Sequence, residues 1–133
     1  MTLQKENRND LVKLRLEKAN ETFAEIPILI ENKLWRTAAN RLYYACYYAV
    51  SALLIKNHIK AHTHSGLINQ FGLNFVTTGI FSQKEGRFFK ELFELRQDGD
   101  YDDWITINKD DVMPLIEPAQ NFIEAIEKLI YNS

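Results

Sequence analysis

The sequence has little of several features that would assign it at once to a class. One cysteine, Cys46, in 133 residues excludes an internal disulfide framework. Only five glycines and three prolines are present, and none forms a glycine-rich phosphate loop. No apolar run approaches the roughly 18 residues that a membrane helix needs. The first twenty residues, MTLQKENRNDLVKLRLEKAN, contain no secretory signal. We therefore expect a soluble, cytoplasmic protein.

A strong excess of charge of either sign is also missing. The chain has 16 basic and 18 acidic residues, and its formal net charge is −2. This balance argues against nonspecific electrostatic binding of nucleic acid, although it does not exclude a local basic groove. The length and the 46% hydrophobic content predict one domain over residues 1–133.

Apolar residues recur with helical spacing throughout, and no run alternates as a strand would. This spacing predicts an all-α fold, a five-helix up-and-down bundle. The predicted helices run from about Glu6 to Glu31, Leu34 to Asn57, Leu67 to Val76, Gln83 to Gln97 and Asp110 to Tyr131. Pro27 either kinks the first helix or splits off its last turn. Ser82 and Glu85 predict a capping box for the fourth helix, and DGDYDDWITINKDD predicts a loop after it.

The second predicted helix contains NRLYYACYYAVSALL, with four tyrosines within six positions. On a helical wheel its core stripe consists of Trp35, Ala39, Leu42, Cys46, Ala49, Val50 and Leu53, with Tyr43 at the border. The opposite half carries Tyr44, Tyr47 and Tyr48 beside Asn40, Arg41 and Ser51. Large aromatic rings on that half are expected to be shielded from solvent by other protein surface. Either another helix of the chain covers them, which makes this helix central, or a second subunit does.

The fourth predicted helix has a charged residue on its apolar side. The apolar arc consists of Phe88, Phe89, Leu92, Phe93 and Leu95, and Arg96 falls inside it. A guanidinium keeps its charge and needs carboxylates, phosphates or water at that position. Asp98, Asp100 or Asp102 can pair with it, and a phosphate group is the functional alternative.

Four stretches, NRLYYACYYAVSALL, HTHSGLINQF, FVTTGIF and ELRQDGDYDD, together resemble the HEPN family, the higher-eukaryote and prokaryote nucleotide-binding domain. The resemblance covers about Leu11 to Leu129 and is to the short, stand-alone prokaryotic branch. It implies a helical bundle that commonly dimerises. Several members are ribonuclease toxins or partners of a separately encoded small nucleotidyltransferase. The resemblance therefore implies a nucleotidyltransferase partner for this chain.

Nuclease members of this family carry an arginine near the end of the fourth helix and a histidine a few residues later. Arg96 matches that arginine, which makes it the candidate catalytic residue, but Tyr101, Asp102 and Asp103 stand where the histidine would fall. Metal-independent RNA cleavage needs a group with a pKa near neutrality, which histidine supplies. We therefore expect a protein without full catalytic activity. By analogy with the family, Tyr101 is a candidate acceptor for nucleotidylation by the partner enzyme.

These observations predict a dimeric nucleotide- or RNA-associated component of a two-gene, toxin–antitoxin-like system. The predicted cleft residues are Asn40, Arg41, Tyr44, Tyr48, Arg96, Asp100 and Tyr101, and the predicted dimer interface is Tyr44, Tyr47, Tyr48, Phe89 and Phe93. Two alternatives stay open: a metal-independent endoribonuclease toxin using Arg96, and a structural interaction scaffold. We expect no cofactor and no metal, because His58, His62 and His64 fit no common zinc spacing.

Overall fold

The computed structural model describes residues 5–132, so residues 1–4 and 133 of the predicted domain lie outside the described part. Its helices are α1 (Lys5–Ala24), α2 (Ile26–Glu31), α3 (Trp35–Lys56), α4 (His64–Phe71), α5 (Gln83–Tyr101) and α6 (Lys109–Tyr131). A π-helical turn, Gly72–Val76, follows α4. No strand occurs among the described residues. The all-α prediction is confirmed, with the first and third predicted helices each divided in two.

Local sequence explains where several of these helices begin. Pro27 lies in the first turn of α2, where its missing N–H costs nothing, so the first predicted helix is split rather than kinked. Thr63 caps α4 by accepting a hydrogen bond from the Gly66 N–H, which starts that helix three residues earlier than predicted. The capping box of Ser82 and Glu85 at the start of α5 is confirmed.

Helix α5 is longer than predicted and ends at Tyr101 instead of Gln97. Glycine and aspartate disfavour a helix interior, which is why the sequence predicted a loop there. Gly99 is buried, however, and a Cβ at that position would lie 2.8 Å from Ile107 Cδ1. Tertiary packing therefore overrides the local preference. As a result Asp100 and Tyr101 share a helix with Arg96 and follow it by four and five residues.

Helix α3 is the central helix of the bundle. It packs against α1, α5 and α6, and it also contacts α2 and α4. Its fully buried residues lie on more than one side, and several are alanines that allow close helix approach: Ala38, Ala39, Ala45, Ala49 and Ala52. Tyr43 is fully buried, not a border residue as predicted. Tyr44, Tyr47 and Tyr48 are only partly buried, so their own chain covers this tyrosine face incompletely.

The predicted interface position Phe89 is wrong. Its ring is fully buried and stacks on Tyr43 and Phe122, with centroids 5.9 and 5.6 Å apart. It belongs to an aromatic core that also contains Phe71 and Phe81, so it offers no surface to a second molecule. Phe93 is partly buried, and its interface role stays a prediction. Within residues 5–132, no helix has the length and apolar content required to cross a membrane.

Candidate functional site

Arg96 lies at the centre of the candidate site, near the C-terminal end of α5. It is only 8% exposed. Its Nη2 donates a hydrogen bond of 2.9 Å to the Tyr44 hydroxyl and lies 3.5 Å from the Tyr101 hydroxyl, at the outer limit of a hydrogen bond. Its Nε lies 3.0 Å from Asp100 Oδ2. That contact is an ion pair without hydrogen-bond alignment, because the Nε–H has no acceptor in line among the described residues.

A chain of polar contacts extends from Asp100 to the start of α3. Asn40 Nδ2 donates to Asp100 Oδ2 at 2.9 Å, and Asn40 Oδ1 accepts from Arg41 Nε and Nη2 at 3.0 and 2.7 Å. Arg41 Nη1 lies 3.9 Å from Glu25 Oε2, a longer and more exposed ion pair. Asn40 thus joins the two arginines through one amide. Its carbonyl faces Arg41 and its amino group faces the carboxylate of Asp100.

The two guanidinium groups also meet at the ring of Tyr44. Arg96 Cζ lies 5.1 Å and Arg41 Cζ 5.2 Å from the Tyr44 ring centroid, within the range of cation–π contacts. Arg96 Cζ is also 5.5 Å from the Tyr101 ring. Tyr44 therefore holds Arg96 through its hydroxyl and through its ring, which fixes the guanidinium more firmly than either contact alone.

His64 joins this cluster from α4, although it was not among the predicted cleft residues. Its Nδ1 lies 2.7 Å from the Tyr43 hydroxyl, and its ring centroid lies 4.8 Å from that of Tyr47 and 5.8 Å from that of Tyr44. Partial burial lowers the pKa of His64, and the positive charge of Arg96 lowers it further. Burial raises the pKa of Tyr43, so its hydroxyl stays protonated.

The only sequence signal for His64 was its position directly after the helix-capping residue Thr63. The side-chain contact between His64 and Tyr43 depends on how α3 and α4 pack against each other.

Tyr101 and its neighbours form an exposed aromatic surface beside Arg96. Tyr101 is 73% exposed, Trp104 is 96% exposed and Ile105 is 44% exposed. Asp102 accepts a hydrogen bond from the Trp104 N–H at 2.9 Å, which holds the chain in a turn just beyond α5. Large apolar side chains this exposed are uncommon in one place and mark contact surfaces when they cluster.

The charges of the Arg96 centre are balanced within the described chain. Two arginines, Arg41 and Arg96, face two carboxylates, Glu25 and Asp100. A phosphate that approaches Arg96 through Nε must therefore displace Asp100, because a carboxylate and a phosphate compete for the same donors. Among residues 5–132, no group of three or more His, Cys, Asp or Glu side chains is arranged to hold a metal ion.

Six of the seven predicted cleft residues lie in one connected network: Asn40, Arg41, Tyr44, Arg96, Asp100 and Tyr101. Tyr48 lies outside its polar part. Its ring contacts Tyr44 and Tyr47 and is covered by the Lys18 ammonium at 5.1 Å from the centroid. Whether these residues bind a ligand stays a prediction.

Comparison with known proteins gives a family match and several relatives. The model of a family described as "HEPN domain" matches residues 12–129. A Thermotoga maritima protein named "UPF0332 protein" is 37% identical over 113 residues, which cover 85% of this chain and 86% of that protein. A Methanocaldococcus jannaschii protein named "Putative toxin" is 34% identical over 131 residues, 96% of this chain and 94% of its own. A second protein of that organism and name is 28% identical over 123 residues, 92% of this chain and 83% of its own.

Proposed function

The chain belongs to the HEPN family, and from this membership we propose that it is a dimeric, nucleotide- or RNA-associated component of a two-gene system. The second gene of that system encodes a small nucleotidyltransferase. Two relatives from Methanocaldococcus jannaschii carry the name "Putative toxin", which supports a toxin–antitoxin-like setting.

The observation that carries this proposal is the state of Arg96. The guanidinium is buried on a face of α5 that is otherwise apolar, yet it adjoins the partly buried tyrosine face and the exposed Tyr101. Arg96 is paired with Asp100, but a purely structural role could be filled by an apolar residue, since replacing a buried ion pair with apolar side chains is often neutral or stabilising. Binding of a ligand phosphate or of a partner molecule would explain an arginine at this position, which packing alone does not.

The dimer is supported by the exposed surface next to Arg96. Tyr101, Trp104 and Ile105 are exposed, and Tyr44, Tyr47 and Tyr48 are incompletely covered by their own chain. Tyrosine, tryptophan and arginine are the residue types enriched in the centre of protein interfaces. A second copy docked on this surface would bring two Arg96 side chains to one cleft.

Light scattering and thermal unfolding of the purified chain test this proposal. We expect a dimer at micromolar concentration and a rise in melting temperature when a nucleotide or a short RNA is added, because a ligand that binds only the folded state stabilises it. A strict monomer whose melting temperature is unchanged by any nucleotide or RNA would remove the proposal. Trp104→Ala is the diagnostic variant for the interface, because this side chain contributes almost nothing to the monomer core.

A metal-independent endoribonuclease toxin is the second candidate function, and His64 is the observation that favours it. RNA cleavage needs a group that can gain and lose a proton near neutrality. No histidine follows Arg96 in α5, but His64 of α4 shares Tyr43 and Tyr44 with Arg96. In this hypothesis His64 exchanges the proton, Tyr43 orients its ring through Nδ1, and Arg96 binds the phosphate.

Expression in a bacterial host separates the two candidates. A ribonuclease would slow growth and degrade RNA, and both effects would disappear in His64→Gln and in Arg96→Gln. Arg87→Gln is the control for Arg96→Gln, because Arg87 is exposed on the same helix and makes no hydrogen bond or ion pair with the Arg96 cluster within residues 5–132. Equal growth and intact RNA with the wild-type chain and all three variants would exclude the nuclease and leave the first proposal untouched.

A further inference from the structure

A cavity of about 420 Å³ lies at the other end of the tyrosine face, between α1, the C-terminal turn of α3 and the connection to α4. This volume is within the range of small-molecule sites. Its permanent charges are those of Arg8, Arg15 and Lys60, and His58 and His62 add two imidazoles. No Asp or Glu of residues 5–132 lines it. The cavity therefore differs from the Arg96 centre, where carboxylates balance the arginines.

The positive charge of this cavity is uncompensated in the described part of the chain. Neither arginine forms an ion pair within residues 5–132, and Lys60 forms none there either. Arg8 Nη1 donates to the Ile55 carbonyl at 3.0 Å, which positions its side chain without neutralising it. Arg15 Nε is shielded from solvent and finds no acceptor among these residues. Buried donors normally have hydrogen-bond partners. The cavity therefore combines unpaired positive charge with a buried Arg15 donor that has no acceptor within residues 5–132.

The two arginines are held at fixed positions on α1. They are seven residues apart, which places them on one face of the helix, two turns from each other. Both are partly buried, and both line the cavity. A guanidinium binds the oxygens of a phosphate through two parallel N–H groups, and its geometry fits that group better than an ammonium does.

The remaining walls suit a nucleoside. Tyr47 supplies aromatic surface, and Leu54 and Ile59 supply apolar surface. The hydroxyls of Tyr47 and Ser51 make no hydrogen bond within residues 5–132, so both are available to a ligand. Aromatic side chains beside a basic groove are the arrangement by which proteins stack bases and hold the phosphates that link them.

We propose that this cavity binds a nucleotide, with the phosphate on Arg8, Arg15 and Lys60 and the base against Tyr47. The nucleotide is either free or part of an RNA strand. The cavity does not depend on Arg96. The extension that one strand reaches both places rests on the proposed function. It is supported by Tyr47, which lines the cavity and also lies 5.8 Å from Tyr44, measured between ring centroids.

Calorimetric titration of the full chain with AMP and, separately, with a 5′-phosphorylated hexanucleotide RNA tests this inference. We expect Arg15→Gln and Lys60→Gln each to weaken binding about tenfold, because each removes a charge-assisted contact to phosphate. Arg87→Gln is the matched control: it removes the same charge from an exposed position on α5, outside the cavity. Lys60 is exposed in a connection, so its variant also covers the case in which Arg15→Gln fails to fold.

The outcomes separate the two sources and the two proposals. Binding of AMP and of the strand with similar affinity means that the cavity accepts a single nucleotide, whereas binding of the strand alone means that it holds part of a chain. Either result supports the site if Arg15→Gln weakens the binding and Arg87→Gln leaves it unchanged. Unchanged affinity in both cavity variants, or no binding of either ligand at millimolar concentration, would overturn the inference. If Arg96→Met alone abolished RNA binding, the proposed function would stand without the cavity.

Discussion

Replacing Arg96 by methionine is predicted to leave the fold nearly as stable as before. Methionine keeps an unbranched apolar stem with a helix propensity close to that of arginine. The lost hydrogen bond to Tyr44 costs about 0.5–1.5 kcal/mol. The lost ion pair costs about 1 kcal/mol, because the Asp100 side chain is 23% exposed and partly screened by water, and the cation–π contacts with Tyr44 and Tyr101 are lost as well. Against these losses, the variant no longer has to keep a cation out of water. We expect a net change within about 1 kcal/mol.

Thermal and urea unfolding of the wild-type chain and Arg96→Met measure this change. For a chain of 133 residues, about 1 kcal/mol corresponds to a shift in melting temperature of about 3–5 °C. Arg87→Met is the control for the general effect of the substitution, since Arg87 is an exposed position on the same helix. Removing one partner of a fully buried pair costs about 3–5 kcal/mol. A loss of this size in Arg96→Met but not in Arg87→Met would refute the reasoning and favour a scaffold whose arginine is structural.

Three further predictions concern separate parts of the molecule. An NMR titration of His64 should give a pKa below the ordinary value of about 6.5. The free energy of unfolding should then fall as the pH drops from about 6.5 to that lower pKa, because His64 takes up a proton on unfolding in this range. His64→Gln should lose this pH dependence. Ser82→Ala should reduce the free energy of unfolding by about 1 kcal/mol in a urea titration, because it removes the cap of α5, and an unchanged midpoint would contradict this. Gly79→Ala should destabilise the fold by about 1–2 kcal/mol, because φ is +83° at that position. Gly72→Ala should stabilise it by about 0.4–1 kcal/mol, because Gly72 has a helical φ and free space around it. Melting temperatures that shift in the same direction in both variants would refute this pair of predictions.

The sequence was sufficient for those features that depend on spacing along one helix. Arg96 is on the buried side of α5, and the wheel of the second predicted helix identified six residues that α3 buries: Ala39, Leu42, Cys46, Ala49, Val50 and Leu53. The capping box at Ser82 could be predicted because its two hydrogen bonds join residues three positions apart. Asp100 was one of three acids offered as the partner of Arg96, and the extension of α5 selects it, since it is one helical turn away.

Features that depend on packing between helices could not be predicted in this way. A wheel assumes that a helix has one buried side, but α3 is central, so Tyr43 is enclosed and Phe89 packs against it inside the core. Gly99 looked like a helix terminator because its contact with Ile107 is not visible in the local sequence. His64 reaches the site across 21 residues of chain through Tyr43.

The exposure of Trp104 gives the molecule a built-in optical reporter. The chain has two tryptophans, and the other, Trp35, is partly buried in α3. With 96% of its surface in water, Trp104 contributes long-wavelength indole emission that any molecule docking beside Tyr101 would shift to shorter wavelength or quench. Association at this end of α5 can therefore be followed by intrinsic fluorescence in the unlabelled wild-type protein, with Trp35 as an internal reference.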